Sequence, residues 1–170
     1  MAVPSLSGQQ LKLSRTSGKV LFADREEIPE FDTVITVYNM FYYAKEHPAA
    51  SGELVPFRLV KRVYPFERAY QKQILEPFAR LFSGHVKELR EACEKLGGTK
   101  LPQGDAVYPY FDMAVLFWDR DDEFEAQGNM LFDSNITDFV HEENVVCIAA
   151  DAVRYLSRAA GLEEMKIYAG

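Results

Sequence analysis

An acidic connection between two apolar runs constrains the fold of this chain more than any other feature. Residues 115–118 read Val-Leu-Phe-Trp, residues 130–132 read Met-Leu-Phe, and the segment between them is charged and carries Gly128 and Asn129. Short apolar runs separated by turn-forming residues are typical of a β-hairpin. The sequence therefore predicts two paired strands with carboxylates crowded at one end.

The carboxylates of this hairpin are the candidate metal ligands of the chain: Asp119, Asp121, Asp122, Glu123 and Asp133. Because Ca²⁺ and Mg²⁺ bind several converging oxygens, the segment 119–133 is a candidate divalent-cation site. Asp119-x-Asp121 begins like a calcium loop, but no glycine takes the turn position and no glutamate closes the loop. The simpler interpretation is a solvated acidic hairpin that protects a sheet edge.

Two further roles are open to these carboxylates. Asp122 or Asp133 could accept backbone N–H groups and thereby fix the turn. Asp122 and Asp133 could instead act together as general acid and base, which requires that both face one cleft.

Charge is distributed unevenly along the chain. The net charge is −7, yet residues 101–170 hold fourteen acidic and four basic side chains, while residues 61–100 hold nine basic and five acidic ones. Such an acidic excess disfavours nucleic-acid binding, which relies on cations at the phosphates. The basic patch of Lys61, Arg62, Arg68 and Lys72 is expected to complement the acidic third, and a protein docking site is the alternative.

Several classes of protein are disfavoured by what the sequence lacks. No apolar run approaches the ~20 residues of a membrane span, and the first residues lack a secretory signal, so we expect a cytoplasmic protein. Cys93 and Cys147 are expected to be buried thiols and form no Cys-x-x-Cys pair, so zinc and iron–sulfur motifs are missing. The nucleophile elbow, the Walker loop and the dinucleotide-binding turn are missing too.

Strand patterns occur in two blocks. Residues 11–13 and 20–22 predict a hairpin whose turn uses Gly18. Residues 57–64 alternate loosely and predict an edge strand after Pro56. The second block consists of residues 107–111, 114–118 and 130–132.

Helical patterns separate and follow these strands. Residues 31–45 combine β-branched residues with helical spacing, and we predict a helix because a strand of this length is unusual. Residues 67–97 are helical, with a new segment at Pro77, a cap at Ser83 and a stop at Gly97. A helical turn capped by Ser134 or Asn135 precedes a helix over 144–160 that Gly161 ends.

Strands and helices in blocks rather than in strict alternation indicate an α+β fold. We predict one compact domain over residues 1–170, in which a small, mainly antiparallel sheet is packed by about four helices. Its length is sufficient for a sizeable core.

Aromatic residues are numerous, and most are expected to belong to the core. The alternative is a small-ligand pocket. Its candidate lining residues are Tyr38, Phe41, Tyr42, Tyr43, Tyr64, Phe66, Tyr70, Tyr108, Tyr110, Phe111, Phe117 and Trp118.

The order of several motifs between Leu11 and Leu156 resembles an uncharacterised prokaryotic family, domain of unknown function thirty-seven eighty-six. The matching pieces are residues 75–82 (Leu-Glu-Pro-Phe-Ala-Arg-Leu-Phe), 96–98, 104–106, 118–126, 131–133 and 139–143. The pair of Asp-Glu-Phe and Leu-Phe-Asp motifs behind an aromatic strand is the distinctive part. The family's usual Phe-Pro is Phe124-Glu125 here.

This resemblance is compatible with a role in anaerobic cofactor metabolism. Some relatives carry a cysteine-rich segment suggestive of iron–sulfur chemistry, but this chain lacks that segment, so the resemblance does not extend to a redox role. The sequence thus leaves two functions open. The first is a non-enzymatic binding or accessory module with a protein partner or a small ligand. The second is a metal-dependent enzyme that uses the acidic hairpin over residues 119–133.

Overall fold

The strands of the protein form antiparallel sheets. A computed structural model describes residues 2–6, 9–101, 104–108 and 113–162. Within these residues, one sheet has the order β1-β2-β3 and the other has the order β4-β8-β7-β6-β5. The strands are β1 (Ala2–Leu6), β2 (Gln9–Leu13), β3 (Val20–Phe22), β4 (Leu54–Pro56), β5 (Thr99–Leu101), β6 (Gly104–Tyr108), β7 (Met113–Trp118) and β8 (Gln127–Asp133).

Helices pack against these sheets. They are α1 (Phe31–Tyr43), α2 (Glu67–Tyr70), a π-helical turn (Gln71–Leu75), α3 (Glu76–Phe82), α4 (Val86–Lys95) and α5 (Asn144–Ala160). Because α2, the π turn and α3 follow one another without a break, residues 67–82 form one continuous rod. Short 3₁₀ turns lie at Phe57–Leu59, Tyr64–Phe66 and Ile136–Asp138. None of the helices in the described ranges is both long and apolar enough to cross a bilayer.

The main core lies between the rod, α5 and the β7–β8 pair. Phe78 and Phe82 of the rod, Met130 and Phe132 of β8, and Leu156 of α5 are fully buried. Each such side chain contributes roughly 1.5–3 kcal/mol of burial free energy. A smaller apolar cluster, made by Leu11, Val20, Phe22 and Val37, joins the first sheet to α1.

The predicted α+β class is confirmed, with the strands divided between two sheets. The helix over α1 is confirmed, as is the hairpin of β2 and β3 with Gly18 at a φ of 72°. The β7–β8 pair is confirmed, with Trp118 opposite Gln127 at its loop end. Helix α5 is confirmed too, and Gly161 closes it in the left-handed region. Of the predicted strand 107–111, residues 109–111 lie outside the described residues.

The predicted edge strand over residues 57–64 is wrong. Strand β4 stops at Pro56, and the chain then turns, with the Val60 N–H donating to the Phe57 carbonyl at 2.9 Å. Arg62 takes a positive φ of 66°, which interrupts any extended run. Burial falls on every third residue, Phe57, Val60 and Val63, which is the period of 3₁₀-type turns rather than that of a pleated strand.

The helix caps were also predicted imperfectly. Helix α4 begins at Val86 with His85 at its N-cap position, so the predicted cap at Ser83 is wrong. Asn135 does precede the turn at Ile136, but its side chain makes no capping hydrogen bond. Pro77 lies in the first turn of α3, as predicted, and the π turn before it keeps the rod continuous.

Candidate functional site

A cleft of about 1120 Å³ lies between the rod and strand β8. The 3₁₀ turn after β4 closes one end, and the β7–β8 loop closes the other. Its apolar lining comes from Phe57, Tyr70, Leu75 and Ala79, and Trp118 stands beside them. These residues come from three separate parts of the chain, so the cleft is a product of tertiary packing.

Tyr70 and Phe57 form the aromatic part of the cleft. Their rings stack with centroids 4.1 Å apart, and both meet the Phe132 ring edge to face. Tyr70 is only 3% exposed, and its hydroxyl has no hydrogen-bond partner among the described residues. Burial raises the pKa of Tyr70 far above its ordinary value, although the nearby backbone N–H of Met130 opposes this. A buried hydroxyl without a partner costs about 1–3 kcal/mol, a cost that a polar group of a ligand in the cleft would offset.

The π turn lies in the wall of the cleft. Its Ile74 is buried in the core, while Gln71 and the largely buried Leu75 line the cleft. A π turn adds one residue to a helical turn, is rare overall and is frequently found at functional sites. The rod therefore has its one π-helical irregularity, among the described residues, beside the cleft.

Charged side chains surround the cleft: Arg58, Arg80, Arg120, Glu67, Glu76 and Glu125. Among the described residues, none of the three guanidinium groups has a carboxylate within 4 Å. Trp118, the single tryptophan of the chain, is 56% exposed there. Unpaired arginines and an exposed indole are the groups that binding surfaces use most.

Strand β8 presents an open edge to the cleft. On its outer side β4 pairs only with Leu131, Phe132 and Asp133. Gln127, Gly128 and Asn129 continue β8 beyond β4 and line the cleft. This stretch is bounded on the inner side by β7.

The acidic loop beside the cleft uses its carboxylates to fix the backbone. Asp119 accepts the N–H groups of Gly84 and Arg120 at 2.8 and 2.9 Å. Asp121 accepts those of Glu123 and Phe124 at 2.9 and 2.8 Å, and these bonds lower the pKa of Asp121. Both carboxylates therefore act as local turn acceptors, and the first also ties the loop to the end of the rod.

Asp133 lies away from the other predicted ligands. It ends β8 at the side opposite the loop, which separates it from the loop by six strand residues, or about 20 Å. It is 1% exposed and accepts the N–H groups of Ser51, Gly52 and Asn135. Asp133 thus accepts backbone N–H groups, as predicted, but at the end of β8 that lies away from the hairpin turn.

The structure divides the five predicted metal ligands accordingly. Asp119, Asp121, Asp122 and Glu123 share the exposed loop, whereas Asp133 sits in its own buried site. Asp122 and Asp133 consequently do not face one cleft, which the acid–base pair would require. Across the described ranges, no cluster of three or more His, Cys, Asp or Glu side chains is arranged to hold a metal ion. The divalent cation at the loop stays a prediction.

Of the predicted pocket aromatics, Tyr70 and Trp118 line the cleft. Tyr38, Phe41, Tyr42 and Tyr43 are instead exposed on α1. Tyr110 and Phe111 lie outside the described residues. The sequence patterns did not identify Phe57 or the three arginines as cleft-lining residues. The local signal for them was Pro56, which ends β4 and leaves the edge of β8 open.

The predicted basic patch lies outside the cleft lining. Arg62 approaches Glu142 at 3.4 Å, which agrees with a surface that complements the acidic C-terminal third. This exposed pair contributes little to stability.

Comparison with known proteins gives one result. No curated protein and no solved structure matches the chain. Residues 2–155 match the family described as "Domain of unknown function (DUF3786)". Since this match spans nearly the whole chain, the protein belongs to the DUF3786 family.

Proposed function

We propose that this protein is a binding module that takes its ligand in the cleft between the rod and β8. The observation that carries the proposal is the combination of a stacked aromatic wall with three unpaired arginines around one concave site. Ligand sites are typically concave, mainly apolar and equipped with a few polar groups that set orientation. The π turn and the unpartnered Tyr70 hydroxyl support the same place.

Binding is favoured over catalysis by the chemistry of the lining. The described lining residues include arginine, glutamate and amide side chains but no histidine, cysteine or lysine. These groups orient and neutralise a ligand well. A proton-transfer step near neutral pH usually employs a group whose pKa lies near the working pH, whereas burial raises the pKa of the Tyr70 hydroxyl far above that range. A cytoplasmic location and an accessory role in anaerobic cofactor metabolism are part of the proposal.

Trp118 provides a direct test, because the single indole of the chain stands in the cleft. We would titrate a library of small molecules and short peptides and follow Trp118 emission. A true ligand should change the emission saturably. Its affinity should fall at least tenfold in Arg80→Ala and stay within twofold in Arg68→Ala, an exposed arginine of the same rod outside the cleft lining.

Two outcomes would contradict the proposal. One is a library in which no member changes the Trp118 emission saturably. The other is a ligand whose affinity is equal in Arg80→Ala, Arg58→Ala and Arg120→Ala, since such a ligand would bind outside the cleft.

A further inference from the structure

We infer that the ligand of the cleft is an extended polypeptide segment that adds to the five-stranded sheet as a strand beside β8. The inference rests on the proposed function, since it names the class of ligand for the same cleft. It comes from the backbone of β8 rather than from the side chains around it.

The direction of the β8 backbone groups follows from the pairing with β4. Just beyond β8, the N–H of Ser134 donates to the Glu53 carbonyl at 2.9 Å, on the β4 side. In a strand the backbone groups of alternate residues point to the same side. Phe132, Met130 and Gly128 therefore direct their N–H and C=O groups away from β7.

These three residues differ in what meets their backbone groups. Phe132 is opposite Val55 of β4. The N–H of Met130 donates to the side-chain oxygen of its neighbour Asn129 at 2.9 Å. Gly128 has neither the β4 partner of Phe132 nor the side-chain acceptor of Met130, so its backbone groups face the cleft. A backbone that faces an opening is the usual template for an added strand.

The chain itself leaves this position vacant. If β4 continued in register past Pro56, Leu59 would lie opposite Gly128. Instead the 3₁₀ turn at Phe57–Leu59 carries the chain away, and Leu59 is 62% exposed. The incoming segment would therefore continue the line of β4, antiparallel to β8.

The size and chemistry of the cleft fit a peptide. A volume of about 1120 Å³ is at the upper end of the roughly 300–1,000 Å³ range of ligand pockets, so the cleft has room for several residues of a peptide. The aromatic wall of Phe57 and Tyr70 can take an apolar side chain of the segment. The cleft offers three arginines and three glutamates without ion-pair partners in the described part of the chain, so we expect charged residues of both signs beside that apolar residue.

The test begins with random octapeptides displayed on phage and selected on the full chain, with parallel selection on Arg80→Ala. The best peptide is then synthesised in two N-methylated forms, one methylated at odd and one at even positions. An added strand uses the N–H groups of one edge only. One form should therefore lose at least tenfold in affinity while the other stays within threefold of the parent peptide.

Hydrogen exchange of the Gly128 amide gives the second readout. Bound peptide should slow its exchange at least tenfold, with no comparable change at Leu116, whose strand β7 lies on the other side of β8. A peptide whose two methylated forms bind alike, without protection of Gly128, would overturn the strand but leave the cleft as a binding site. The same conclusion would follow if a small molecule changed the Trp118 emission saturably while no peptide was selected.

Two other outcomes are decisive. If concentration-dependent dimerisation protects Gly128 without peptide, the occupant is a second copy of the chain and the inference of a partner peptide is wrong. If neither peptides nor small molecules change Trp118 emission, both the inference and the proposed function fail.

Discussion

Phe78 occupies the space in which a side chain at Gly128 would lie. A Cβ atom at Gly128 would come within 2.5 Å of Cε1 of the Phe78 ring, which is fully buried. Contacts of this kind do not occur between real side chains, and the ring belongs to the main core rather than to a flexible surface chain. Glycine is therefore required here by the packing of α3 on β8.

Gly128→Ala should consequently destabilise the protein. Overpacking of a well-filled core costs roughly 1–3 kcal/mol, and we expect a loss of this size in the free energy of unfolding, measured with urea. The double variant Gly128→Ala/Phe78→Leu is the control, because the smaller residue vacates the space. Its destabilisation should be smaller than the sum of the two single effects by at least about 0.5 kcal/mol. Additive effects would show that the two residues are not in contact.

Asp133 should be the carboxylate that contributes most to the junction of β8 with the segment before β4. It accepts three backbone N–H groups and the Ser51 hydroxyl, at distances of 2.8–3.0 Å. Asn at this position has one acceptor oxygen, and its NH₂ group is a donor that would face the N–H donors. We expect Asp133→Asn to lower the free energy of unfolding by roughly 2–4 kcal/mol, since charge-assisted bonds are worth about 1.5–3 kcal/mol each. Asp122→Asn, in the exposed loop, should change it by less than about 0.5 kcal/mol.

The same site predicts acid sensitivity. Burial tends to raise the pKa of Asp133, but the bonds from Ser51, Asn135 and Gly52 outweigh it and hold the pKa below the ordinary value. A carboxyl whose pKa is lowered in the folded state contributes stability above its unfolded pKa, near 4. That contribution is lost as the pH falls through the folded pKa. Unfolding measured between pH 2 and 5 should thus be less pH-dependent in Asp133→Asn than in the wild type, and equal slopes would contradict this role.

Local patterns were sufficient to predict the β7–β8 hairpin and helix α5. The hairpin follows from two apolar runs with a polar connection, and α5 from apolar spacing that ends at Gly161. Each of these patterns is contained in one short continuous segment of the sequence. The same holds for the choice of a helix over Phe31–Tyr43, where length decided between two periodicities.

The cleft and the Asp133 site could not be predicted in this way. Asp133 is bound by Ser51, which is 82 positions away. The cleft joins Phe57, Tyr70 and Gly128, and its openness depends on where β4 stops. These relationships depend on tertiary packing and on the lack of a pairing strand beside part of β8. Neither produces a periodic pattern of apolar residues in the sequence.

The predicted cation site at the acidic loop reduces to four carboxylates once Asp133 is placed elsewhere. Calcium sites need six to eight oxygens, and Asp119 and Asp121 already accept backbone N–H groups. We expect any affinity for Ca²⁺, measured by calorimetry, to be no tighter than about millimolar. It should disappear in Asp121→Asn and persist in Asp133→Asn. Loss of binding in the latter variant alone would place the ion at the buried site instead.

A buried pair of carboxylates between α1 and α5 gives the protein a second pH dependence. Arg154 bridges them, donating to Asp151 at 2.7 Å and to Asp32 at 3.1 Å. The hydroxyl of Thr33 donates to the other oxygen of Asp151 at 2.6 Å. Burial raises the pKa of Asp151 to about 7, helped by the charge of Asp32 and opposed by the Thr33 bond and Arg154.

This elevated pKa has the opposite sign to that of Asp133. A carboxyl whose pKa is raised on folding stays protonated in the folded state while it already ionises in the unfolded chain. Its contribution to the free energy of unfolding therefore falls as the pH rises from its unfolded pKa, near 4, to its folded value. Between pH 5 and 8 the wild type should therefore lose up to about 3 kcal/mol of unfolding free energy through Asp151. Asp151→Asn is neutral at every pH, so its free energy of unfolding should change less over this range than that of the wild type. Equal slopes in the two proteins would mean that Arg154 keeps Asp151 ionised throughout, and that the two charges on α5 form a stable ion pair.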